Sequence, residues 1–194
     1  MLKSLSLGGL LGGLVLFAWG SISWMALPWH RVTFESFTDE VAVAQVLSAN
    51  ARGSGVYILP NGHRREPGMT EAQQKAVEED AMKRGEQGPF MLASITLHGW
   101  GSMGNAMLVG LLTQIAGALL ATWLLLKTSG LQYWGRVGFL VIFALTVAVL
   151  AYVPYWNWWH FSTNYTLVAF ADLLIGWFLA GLVIAKVASS PSGT

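Results

Sequence analysis

Of 11 basic and 10 acidic side chains, sixteen lie between Arg31 and Glu86, and of the other five only Asp172 falls inside a long apolar run. Charge is therefore confined to one stretch, and the rest of the chain cannot build a water-facing surface. Soluble domains carry roughly a quarter of their residues as charges, whereas this chain has 11% charged and 54% hydrophobic residues. The pattern predicts an all-α membrane bundle of four transmembrane helices, with a small α/β extracytoplasmic insert between the first two.

A hydrocarbon core about 30 Å thick needs roughly 20 apolar residues in helical form. Four runs meet or approach that length, at about residues 5–27, 103–126, 137–153 and 165–185. Backbone polar groups in lipid must bond within their own segment, so each run should be a helix. Pro154 and the aromatics after it are expected to end the third. Residues 1–27 thus form the first helix, 28–102 the insert, and 103–194 the remaining three helices with a short tail. The first run, continuing through Ile22, Trp24, Met25 and Leu27, is longer than a cleavable signal core of about 7–15 residues.

Basic residues near span ends set orientation. Lys3, Lys127, Arg136 and Lys186 fall on one side if four helices alternate, while the stretch 154–164 opposite them has neither Lys nor Arg. Both termini are therefore expected in the cytoplasm of a bacterial inner (plasma) membrane, and residues 28–102 outside it. Trp24, Trp29, Trp100, Trp156, Trp158 and Trp159 gather at the expected outer boundary and Trp123 and Trp134 at the inner one, as indole prefers the headgroup layer. The aromatic run 155–161 could also cage a quaternary amine, but a boundary belt is the simpler reading.

Within the insert, Thr38 is expected to cap a helix through Val41, Val46 and Leu47. Val56 to Leu59 and Phe90 to Leu97 are expected strands. Thr70, with Gln73 three residues on, starts a second helix in a capping-box pattern. Its pairs Glu71–Lys75, Glu79–Lys83 and Asp80–Arg84 have the spacing of a solvated helical face.

Asp172 is the one carboxylate in a span, and such a group normally faces protein or water. It shares a stripe with Ala169, Gly176 and Ala180, which turns it into the bundle. Matching small-residue stripes run through Gly9, Gly13 and Gly20 on the first helix and Gly110 and Gly117 on the second. Depth matching nominates Asn105, Ser21, Ser23 and Thr146 as partners of Asp172 in a buried polar cluster. Glycines spaced for close helix approach serve packing within one chain or a dimer face equally well. His30, His98 and His160 all fall on the expected outer side and are candidate ligands for a metal or haem, although no pair has metal-ligand spacing.

Absent cysteine excludes disulfides and thiolate sites, and no phosphate loop or nucleophile elbow occurs. No cofactor is expected. A net charge of +1 gives no case for nucleic acid. The expected partners are the lipid bilayer and a protein, either another chain or a second copy. These features suit a non-catalytic accessory or scaffold subunit with an outer interaction cap. The alternatives are a proton- or cation-coupled transporter component using Asp172, and a metal- or haem-binding redox protein. For orientation, cysteines introduced at Gly62 and Ser189 should label from opposite sides of the membrane with an impermeant thiol reagent; labelling from one side contradicts the four-span map.

Overall fold

In a computed structural model, which describes residues 1–188, nine elements follow in chain order. They are α1 (Leu2–Met25), a 3-10 turn (Arg31–Thr33), α2 (Glu40–Asn50), β1 (Gly55–Leu59), α3 (Glu71–Gln87), β2 (Met91–Ile95), α4 (Met103–Leu125), α5 (Tyr133–Trp158) and α6 (Thr163–Val187). They form two compact units. One comprises Met1–Glu35 and the chain from Ser102 onward, the other Ser36–Gly101. The tail expected after the fourth span falls at residues 189–194, outside the described residues.

The four helices of the first unit are each long and apolar enough to cross a membrane. α1 packs against both α4 and α6, α5 packs against α6, and α4 touches α5 only lightly. The interface is built from small residues: Ala118, Ala121, Ala144 and Ala180 are fully buried, with Leu140 and Ile184 filling the gaps between them. Between apolar helices in lipid, close van der Waals approach supplies the attraction that water would otherwise drive. The glycines of α1 allow that approach. A Cβ on Gly13 would fall 2.5 Å from the Ile115 Cα, and one on Gly12 would fall 2.6 Å from Ile184 Cδ1. Gly9 lies as tightly against Leu119. The paired glycines of α1 thus serve packing within one chain.

Pro154 lies inside α5, which continues to Trp158, instead of ending it. Proline removes one N–H from the ladder. Stopping the helix there would strand further carbonyls in an apolar setting, a larger loss. The end is reached when Trp159 and Phe161 donate their backbone N–H groups to the Tyr155 carbonyl, at 3.1 and 3.2 Å. At the opposite end of this helix pair, Arg136 Nη1 donates to the Ala185 carbonyl at 2.8 Å and the Tyr133 hydroxyl to that of Leu182 at 3.0 Å. A cation there complements the negative C-terminal end of α6.

In the second unit β1 and β2 pair antiparallel, from Gly55 opposite Ile95 to Leu59 opposite Met91. Thr70 and Gln73 form the expected capping box at the start of α3. The first cap differs: Asp39, not Thr38, accepts the Ala42 N–H at 2.9 Å, since the charged carboxylate is the stronger acceptor for a helix N-terminus. On α3 the Asp80–Arg84 pair forms at 2.7 Å, while Lys75 reaches forward to Glu79 at 3.9 Å and not back to Glu71. Gln74 and Ala81 are its buried residues, and Gln74 Nε2 donates to the Gly62 carbonyl at 3.2 Å.

Replacing Gly13 with Ala should destabilise the protein by about 1–3 kcal/mol through overpacking. The control Gly138→Ala, whose Cβ would meet nothing within 4 Å, should leave stability unchanged or slightly raised. Thermal unfolding in detergent measures both, and equal midpoints would contradict this packing.

Candidate functional site

The first unit gathers its polar chemistry around Asp172, two and a half turns into α6. Trp19, on the facing side of α1, donates its indole N–H to Asp172 Oδ1 at 2.8 Å and also lies 3.0 Å from the Asp172 backbone oxygen. Gly176, one turn further along α6, makes room for that ring. A Cβ there would fall 2.9 Å from Trp19 Cδ1. The second carboxylate oxygen, Oδ2, lies 3.5 Å from His30 Nε2. The carboxylate is thus bracketed by an indole from within α1 and an imidazole from the loop just past its end.

His30 is held on several sides. Its Nε2 lies 3.0 Å from Ser23 Oγ, which also accepts the Trp29 indole N–H at 2.9 Å. The Trp24 ring stacks on the imidazole at 3.9 Å between centroids, and Trp29 meets it edge-on at 5.7 Å. The backbone helps, because Pro28 ends the run after α1 and the Val32 N–H bonds back to the Pro28 carbonyl, closing a tight turn. His30 and Ser23 are buried, and the Asp172 side chain is 18% exposed. Two proton arrangements satisfy the cluster. Either Nε2–H donates toward Ser23 and an ionised Asp172, or the Ser23 hydroxyl donates to Nε2 and the carboxyl carries its own proton.

Ser, His and Asp in contact invite comparison with a nucleophilic triad, and the geometry argues against one. In a triad the imidazole relays between its two nitrogens, serine on one and carboxylate on the other. Here Ser23 and Asp172 approach the same nitrogen. Ser23 is also wholly buried, and its oxygen is engaged by Trp29. The arrangement fastens α1 and its following turn to α6.

Of the residues nominated from sequence, Ser23 joins this cluster through His30. Ser21 donates to the Phe17 carbonyl at 2.9 Å and Thr146 to that of Ile142 at 3.0 Å, each within its own helix. Asn105 is exposed in the first turn of α4, its backbone N–H on Ser102 Oγ. His30 and His160 belong to the helical unit and His98 to the smaller one. Among the described residues no group of three or more His, Asp or Glu is arranged to hold a metal ion. Gly117 and Gly110 make ordinary contacts, 4.0 Å from Trp177 and 3.9 Å from Phe17, and Gly20 faces open space. In the smaller unit, hydrogen bonding and charge from Arg64, with a lesser contribution from Arg52, hold the exposed Glu66 carboxyl below the usual range.

Sequence reasoning missed Trp19 and placed His30 elsewhere. The signal for Trp19 was present: it lies eight residues before Leu27 and Asp172 lies seven after Tyr165, so alternating spans would set the two at matching depth.

The chain matches no family model, no curated protein and no solved structure.

Removing the indole donor with Trp19→Phe should lower stability by about 0.5–3 kcal/mol, the span from a neutral hydrogen bond to one on a charged carboxylate. Gly176→Ala should act on the same contact by displacing the ring. A double-mutant cycle with Asp172→Ala, which removes the accepting oxygen, read by unfolding in detergent, should show coupling at Trp19; additive effects would contradict the contact.

Proposed function

We propose that the protein is a non-catalytic membrane subunit, a scaffold whose four spans anchor an extracytoplasmic module that meets a protein partner. One observation carries this reading. Both oxygens of the sole carboxylate in the four spans lie beside partners of the same chain, Oδ1 accepting the Trp19 indole N–H and Oδ2 3.5 Å from His30 Nε2. A carboxylate that carries protons or cations across a bilayer normally works with further acids or bases along a path, and the four long helices hold no second acid away from their ends. A carboxylate so engaged does the work of a clamp. The folded module of two helices and a two-stranded sheet, with its solvated charges, supplies the surface for a partner.

The His30–Asp172 contact favours one competing reading, a proton-coupled component, since both groups exchange protons. Asp172→Asn separates the two. On the scaffold reading, liposomes holding the wild type or the variant pass protons no faster than protein-free vesicles, as followed with an entrapped pH dye, and the variant differs only by a lower unfolding temperature. Proton flux in the wild type that the variant abolishes would replace the scaffold with the proton-coupled component.

A further inference from the structure

Gln114 stands at the midpoint of α4, eleven residues from each end of that helix. At 1.5 Å per residue this is on the order of 16 Å from either boundary, the centre of a hydrocarbon layer. Its carboxamide has two N–H donors and an acceptor oxygen, and among the described residues none of these finds a hydrogen-bond partner. The side chain lines a groove of about 210 Å³ between α1 and α4, beside Phe17, Gly20, Met107 and Gly110. The groove is open at Gly20, where an added Cβ would meet nothing within 4 Å.

An amide in hydrocarbon costs free energy until something bonds to it. Lipid tails have no donors or acceptors, and a foreign helix would need a polar group at this one depth. A second copy of the same chain meets that condition automatically. Two copies inserted with the same orientation are related by a two-fold axis along the membrane normal, which places any residue near the axis opposite itself at equal depth. The carboxamide is self-complementary, so two Gln114 side chains can exchange two N–H···O bonds across such an axis. The glycines beside it let the backbones approach closely enough for that exchange. We infer that the α1/α4 groove is a homodimer face, with paired Gln114 carboxamides at its centre. This inference rests on the membrane-spanning reading above.

The absence of native cysteine makes the test direct. Met107→Cys, at the groove, should form a disulfide-linked dimer on mild oxidation in membranes. Ile142→Cys, exposed on α5 away from the groove, should not. In lipid-dilution measurements of energy transfer between labelled copies, Gln114→Leu should weaken association about 3- to 20-fold, the range expected for hydrogen bonds between membrane helices. Gln114→Asn, which keeps the amide, should retain more dimer than the leucine variant. A wild type that stays monomeric at every dilution would assign the groove to lipid or to another helix and overturn the inference. So would equal cross-linking at Met107 and Ile142, or undiminished association of Gln114→Leu. Release of the chain by alkaline carbonate would remove the membrane reading and the dimer together, whereas retention without association removes the dimer alone.

Discussion

Hydrocarbon solvates no polar group, and the helical unit, whose four long helices are each apolar enough to cross a membrane, meets the constraint that a bilayer would impose. Its one mid-span carboxylate is met by an indole N–H and an imidazole. Its helix ends are closed by Arg136, Tyr133 and the serine caps at Ser102 and Ser162. Where no polar group is involved, helices approach through glycine and alanine because contact distance is the remaining source of attraction. Thr122 shows how close that approach is. Its hydroxyl is buried without a hydrogen-bond partner, and a Cβ on Gly8 would fall 2.8 Å from its oxygen.

Hydropathy carries the coarse fold well because a span needs only length and apolar composition, and the four long helices stand where the apolar runs do. The capping box at Thr70 and Gln73 and the two pairing strands were equally legible, each having a local signature. The end of the third long helix was misread, because Pro154 looks like a stop in isolation and is tolerated where the alternative is unpaired backbone. Asp39 displaced Thr38 as a cap by a single position, a choice that spacing alone does not make. Around Asp172 the sequence supplied the acid and its inward stripe but not its partners. Depth matching was applied to serine, threonine and asparagine, the usual hydrogen-bonding side chains, while tryptophan was considered only as a boundary residue, which left Trp19 without a role. Trp19 lies too deep for that role, and its N–H requires an acceptor.

The same bias hid His30. Histidines were grouped by the side of the membrane on which they should fall, which suggests metal chemistry, whereas the position of His30 is set by the turn through Pro28 that folds the loop back over the end of α1. The stacked Trp24 ring and the Ser23 bond then fix the imidazole at the carboxylate. Two tryptophans and a serine within eight positions do this work, a local cluster whose purpose appears only when α6 is alongside.

The turn at His30 has a mechanical consequence. The smaller unit begins at Ser36, so only five residues separate its N-terminal connection from the residue fastened to Asp172. A tug on that connection is therefore borne by the imidazole and carboxylate before it can unwind α1, and it passes sideways into α6. The other connection enters α4 at Ser102, whose side chain caps that helix. The two connections that join the units are thus unequal, one tied across to a neighbouring helix like a guy rope and the other capping the helix it enters.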